Sequence, residues 1–413
     1  MWFPANLISN PVKSRAIIVA NNWAKAGRRI FAVSLASSNL LFLPSLFLST
    51  TNAAQPPLSA FTGNASCSSS GCHGGAGAHQ NQSLVWTRQD AHARAAATLS
   101  TARSKRIAQQ LNISDARMDR ACTGCHAPMQ GLAAELWQPI TKTEFNAHTE
   151  AVSCESCHGP AKNWIRSHTR PDLTREQKAL DGLHDLNVFY NRANACVACH
   201  QVIEPNLLAA GHPELIFELD GQTSSMPRHW QETEPTRVKA WLTGQATALR
   251  EVTHQVAKQK EAGTISPRTF QQWQSLLWIV SRAQPEHKIA AVGTNALESA
   301  DRLKELHKLA NELALQTSLA TFTPADQLAP LRQLTATAPD FAAAPNGDPI
   351  AITRAERLVI ALQRLSISTE PKRPIPEAEL QTAFDLIQSR PDFNPEKFRA
   401  FLTTLDSRLS TSK

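Results

Sequence analysis

Val152-Ser153-Cys154-Glu155-Ser156-Cys157-His158-Gly159-Pro160 sets two cysteines three positions apart and follows the second at once with a histidine. The pattern recurs as Cys122-Thr123-Gly124-Cys125-His126 and Cys196-Val197-Ala198-Cys199-His200. A version two residues wider reads Cys67-Ser68-Ser69-Ser70-Gly71-Cys72-His73. These four pairs use all eight cysteines of the 413-residue chain. A zinc site or a redox disulfide accounts for paired cysteines but not for a histidine directly after every pair. C-x-x-C-H is the attachment site of a c-type haem, in which two thiols add to the vinyl groups of one porphyrin edge and the next imidazole reaches the iron. The sequence therefore predicts four covalently bound haem c groups. Cys67, Cys72, Cys122, Cys125, Cys154, Cys157, Cys196 and Cys199 are the attachment residues, and His73, His126, His158 and His200 the first iron ligands. In the widened motif, Ser68 to Gly71 are small enough to loop out.

Outward from the motifs, residues 1–54 read as an export signal. Lys13, Arg15, Lys25, Arg28 and Arg29 precede an apolar run from Ile30 to Leu48, and Thr51-Asn52-Ala53 supplies small residues for cleavage. An uncleaved anchor is the runner-up. The formal charge of +7 is then misleading, because that segment holds five of the 42 basic residues and none of the 35 acidic ones. What remains is 37 basic against 35 acidic residues, and haem propionates lower the balance further. Nucleic acid is excluded as a partner on this ground. The expected location is the periplasm, with peripheral membrane association compatible.

The rest divides in two, and the fold class is mainly α. Residues 55–234 hold every cysteine and eleven of the fourteen histidines, with few apolar residues for their number. Short helices and loops are expected there, the clearest helical pattern running from about Ser83 to Leu111, wrapped around haems that stand in for a side-chain core. Residues 235–413 lack cysteine and show helical periodicity, for example Val238, Trp241, Leu242, Leu249, Val252 and Val256. Ser266-Pro267 and Thr323-Pro324 read as helix starts and Thr353-x-x-Glu356 as a capping box. Residues 336–349 read as a loop. Five to seven helices are expected, with no role written in their residues.

Function turns on what faces each motif histidine across the iron. A second imidazole leaves electron transfer as the easy chemistry; an empty position admits small molecules. Seven further histidines lie in the cysteine-bearing half. His92 sits on an alanine-rich helix, His168 follows the third motif by ten residues, and His212 is held between Gly211 and Pro213. These three are the leading second ligands. His79 and His148 rank lower, and His184 and His229 lowest.

The succession Trp86, Asp90-Ala91-His92-Ala93-Arg94-Ala95, Cys122-Thr123-Gly124-Cys125-His126, Val152-to-Pro160 with His168, and Cys196-to-His200 resembles the tetrahaem cytochrome c-554 family over about residues 67–215. The resemblance implies a mostly helical periplasmic electron carrier with haems in close pairs. It implies second ligands at His92, His168 and His212, and an open iron at His126. The wide first motif departs from the family's usual form, and the helical half has no counterpart in its short members. The function read here is electron transfer between redox partners, a donor and an acceptor such as a multihaem oxidoreductase or a membrane quinol-linked complex. The alternative is an oxidoreductase acting on a small nitrogen or sulfur species at one five-coordinate haem. No catalytic residue is assigned.

Overall fold

The computed structural model describes residues 60–411 apart from 133, 140–145, 147–149, 231–236, 368–373 and 389–391. Residues 1–54, read as an export signal, and His148 lie outside the described residues. Residues 59–413 form one compact unit. It is helical; among the described residues there is no strand, only an isolated bridge between Phe61 and Trp137.

Among the described residues, nine short helices precede residue 231: α1 (Gln82–Gln89), α2 (Ala95–Thr98), α3 (Ala102–Gln110), α4 (Arg120–His126), α5 (Cys154–His158), α6 (Arg175–Leu180), α7 (Phe189–His200), α8 (Pro205–Ala209) and α9 (Leu219–Ser225). The stretch from Ser83 to Leu111, read as the clearest of the short helical patterns, is broken into pieces. Asp90 takes an extended backbone and its carboxylate accepts the His92 N–H, while the Thr101 hydroxyl accepts that of Ser104. Each side chain offers the backbone a cap in place of a continuing helix.

Among the described residues, eight longer or peripheral helices follow: α10 (Arg237–Glu261), α11 (Pro267–Ala283), α12 (Ile289–Thr294), α13 (Ala300–Leu319), α14 (Pro324–Thr335), α15 (Pro349–Ile367), α16 (Glu377–Gln388) and α17 (Pro395–Thr411). That is one more than the upper expectation. Ser266 and Thr323 cap α11 and α14 with proline next, as their sequences indicate. Thr353 does not open a helix. Its hydroxyl donates to the Pro349 carbonyl from inside α15, which begins four residues earlier where the Asp348 carboxylate accepts the Ala351 N–H. Residues 336–349, read as a loop, include a short 3-10 turn, Ala338–Phe341, whose Phe341 is buried.

α10 is the central post. It is buried on nearly every side, and α7, α9, α11, α13 and α15 pack around it. Gly244 lets the chain at Leu219 come close, since a Cβ there would stand 2.7 Å from that of Leu219. Buried apolar side chains from Phe189 to Leu409 make one continuous core. Elements from both sides of residue 235 contribute to it, because Phe189, Ala193 and Val197 of α7 and Phe217 and Leu219 join the helical half. A buried polar network seals the same joint. Arg250 donates to Asn194 at 2.6 Å and Asn311 at 2.8 Å, and Tyr190 donates to Asn311 at 2.7 Å. Tyr190, the only tyrosine, is thereby a structural group.

Among the described residues before 189 there is no comparable interior. Beside single buried side chains such as Phe61, Trp86 and Trp164, three small clusters stand apart from the main core: Ala96, Ala127 and Ala151; Leu99, Ala108 and Ala116; and Ile107 with Leu207 and Ala210.

Candidate functional site

Three of the four motifs end a helix. In α4, α5 and α7 the two cysteines fall three apart near the last turn, so both thiols leave one face. Asp119 caps α4 by accepting the Ala121 N–H. α5 stops because Gly159 turns with φ 82°, and a Cβ there would meet the Gly182 carbonyl oxygen at 2.9 Å. The first motif is a turn. Its His73 N–H donates to the Cys67 carbonyl at 3.1 Å. In a helix the histidine of C-x-x-C-H makes that bond to the first cysteine four residues back. Here the two extra residues bulge out and the closure is kept. Gly74 is required, since a Cβ would lie 1.9 Å from the Ser68 carbonyl oxygen.

The motifs are stapled together by buried carboxylates. Glu155, between the cysteines of the third motif, accepts the N–H groups of Thr62 at 2.9 Å, Gly63 at 2.8 Å and Ala161 at 2.7 Å. Glu150 accepts that of Asn64 at 2.8 Å. Burial pushes the Glu155 carboxyl above its ordinary value and that of Glu150 up to about 7. The thiols of Cys67 and Cys154 interact, as do those of Cys125 and Cys199. Motifs one and three are thus neighbours, and motifs two and four are neighbours. Trp86 donates to the Val152 carbonyl at 3.1 Å and ties its helix to the third motif.

Each of three motif histidines faces one other imidazole. Ring centres are 6.2 Å apart for His73 and His168, 6.0 Å for His200 and His92, and 6.4 Å for His126 and His212. Two imidazoles on opposite faces of one metal ion, each bond about 2 Å long, put their ring centres roughly 6 Å apart. The three second ligands named from the sequence are therefore each brought to a motif histidine. His254 and His307 also stand 6.1 Å apart, on α10 and α13, but neither follows a cysteine pair. His126 has His212 opposite, whereas the resemblance implies an open position there. His158 is in no such pair among the described residues. Burial drives its imidazole down to about 4, with His229 and then His184 the leading neighbouring charges.

The hydrogen bonds select the nitrogen. Nδ1–H of His73 donates to Gln82 at 3.1 Å, that of His92 to Asp90 at 2.9 Å, and that of His212 to the Pro213 carbonyl at 2.8 Å. Nδ1 of His126 bonds Thr98 at 2.9 Å. Fixing Nδ1 in this way leaves Nε2 for a metal, the usual outer-shell arrangement of a ligating histidine. Two of the thiols, Cys157 and Cys196, fit thioethers better than thiolates. Burial pushes Cys157 up to about 12 and Cys196 up to about 11, which favours an uncharged sulfur. Among the described residues, no three His, Cys, Asp or Glu side chains converge as a bare metal ion would need. The residues present fit a flat iron porphyrin.

Sequence reasoning assigned no role to Glu155 or Glu150 and ranked His229 with His184 as the lowest candidates. The only sign of the carboxylates was an acidic residue inside a motif. His229 is half-buried with its ring edge-on to Trp230, and His184 and His79 are exposed.

Cysteine pairs with imidazoles facing their histidines are the arrangement that a multihaem c-type cytochrome requires. Residues 70–159 match the family described as cytochrome c554 and c-prime. Over 167 residues the chain is 26% identical to cytochrome c-554 of Nitrosomonas europaea, an alignment taking in 39% of this chain. The chain spans 66% of that relative's length. The motif-bearing region is thus cytochrome c-554-like. No solved structure matches the chain. No helix among the described residues is long and apolar enough to cross a membrane.

Proposed function

We propose that this protein is an exported c-type cytochrome that carries four haem c groups and passes electrons between redox partners. The observation that carries the reading is the set of three imidazole pairs at 6.0–6.4 Å, each joining a cysteine-pair histidine to a residue distant in sequence. When bound, the haems supply one-electron redox chemistry, and an iron with imidazoles on both faces has no position for substrate. The chain's own task is to hold rings, thiols and carboxylates so that the centres sit close. The contacts of Cys67 with Cys154 and of Cys125 with Cys199 support that proximity. Residues 1–54 act as the export signal in this reading, 55–234 as the haem-bearing part and 235–413 as its helical buttress, with a donor and an acceptor protein as partners.

A second reading, an oxidoreductase for a small nitrogen or sulfur species, has one observation in its favour: His158 is outside the three pairs. A pyridine haemochrome assay on protein from a maturation-competent host, combined with electron paramagnetic resonance, tests both. Four haems per chain, three or more low-spin, are expected. Colourless protein with free thiols would end the first reading, and turnover of nitrite, hydroxylamine or nitric oxide would favour the second.

A further inference from the structure

We infer that the helical half closes the iron of the second haem by holding His212, which makes that half a coordination-setting part of the cytochrome. The inference rests on reading the Cys122–His126 motif as a haem site. His212 follows α8 in a turn where Gly211 has φ 94°, and its N–H donates to the Leu207 carbonyl at 2.9 Å. Its Nδ1–H is spent on the Pro213 carbonyl, and its ring stands against that of His126. What fixes this turn lies beyond it in the chain. Two residues on, one Glu214 carboxylate oxygen accepts Arg268 Nε at 2.6 Å and Gln272 Nε2 at 2.6 Å, both from α11. Arg268 also donates to Thr353 of α15 at 3.2 Å. Phe217 and Leu219 then enter the main core with no exposed surface. The strand of chain bearing His212 is therefore clamped to α10, α11 and α15.

The other two facing imidazoles are held differently. His92 is fixed by Asp90 two residues away, and the His168 backbone N–H donates to the Trp164 carbonyl while its ring abuts the Trp164 indole edge-on at 5.4 Å. Both supports are local and lie before residue 189. Of the three pairs, the one at His126 is the one whose far partner is moored to the helical half. An exposed histidine loop without that mooring has rotamer and backbone freedom to swing away from an iron. Glu214 and Arg268 are positioning residues in this account.

The test uses full-length holoprotein and begins with a haemochrome count, so that failure of the haem reading shows as missing haem and is separated from failure of this inference. His212→Ala is expected to bind one more carbon monoxide per chain than the wild type and to add one high-spin ferric signal, both reversed by added imidazole. Glu214→Ala and Arg268→Leu should show the same new species in part, with Arg268→Lys restoring the wild-type spectrum. His92→Ala should open a different haem whatever stands at position 268. If His212→Ala leaves spin state and carbon monoxide stoichiometry unchanged, His212 is no ligand. If Glu214→Ala and Arg268→Leu both keep wild-type spectra with all haems present, the clamp does not set coordination. Should the alanine variant fail to accumulate, His212→Met, read by the loss of one bis-imidazole near-infrared band, decides the same point.

Discussion

The two ends of the molecule are stabilised by different materials. From Phe189 onward one apolar core runs through α7, α10, α11, α13, α15 and α17, with Trp241, Trp273, Phe341 and Phe398 essentially without exposed surface. Before it, the described residues bury single side chains such as Phe61, Trp86 and Trp164 and small patches dominated by alanine. Alanine patches release little apolar surface from water, at about 25 cal/mol per Å². They do not offset the ordering of more than a hundred residues, which costs about 1–2 kcal/mol each in backbone freedom. In the proposed reading the faces of the porphyrins supply the missing interior. An ordinary helical core would then stand beside a region whose interior is cofactor, the two coupled through α7 and one buried polar network.

The largest test of this contrast is to withhold the haem. Protein made without the attachment machinery, or as Cys154→Ala/Cys157→Ala, should lose protection in residues 60–188 while α10 to α17 stay protected. Hydrogen exchange read by mass spectrometry checks this, and equal protection of both regions in haem-free protein would break the comparison. Next in size, Leu249→Ala in the helical core should cost about 3–4 kcal/mol, as Leu→Ala changes at buried sites do. Denaturant unfolding should show that loss with haem spectra unaltered below the transition. Glu155→Ala comes third, because three backbone N–H groups lose their acceptor; about 2–3 kcal/mol is expected. The loss should appear as earlier melting of the motif-bearing region, and a melt identical to the wild type would refute the stapling role.

A further effect is one of pH. Glu218 caps α9 at the joint between the two regions, and burial pushes its carboxyl up to about 8. The folded state holds that proton more tightly than the unfolded chain, so its contribution is fully present below the ordinary glutamate value of 4.5 and is lost as pH rises through about 8. Thermal stability should fall across that interval, and Glu218→Gln should flatten the slope while keeping the oxygen that accepts the Gly221 N–H. An unchanged slope in the variant would remove Glu218 as its source.

Much of the helical half was legible because caps are local. Ser266-Pro267 and Thr323-Pro324 state where α11 and α14 begin, since a hydroxyl and a fixed φ act within one turn. Thr353 misled for the same reason in reverse: Asp348-Pro349 is an equally good start four residues earlier, and burial of the α15 face decides between them. The core position of Phe341 was hidden because it depends on neighbours far along the chain, whereas the break at Asp90 is a local cap that the sequence reading did not weigh.

Attachment chemistry is written in single short stretches, where three-residue spacing and one following imidazole suffice to specify a haem edge. By itself, therefore, the sequence determined where cofactor could be bound and that half the chain lacked a side-chain interior. Which histidine faces which was decided only by the tertiary structure. His200 meets His92, His73 meets His168 and His126 meets His212 because distant segments are packed to within one iron's width, and no local spacing encodes that register.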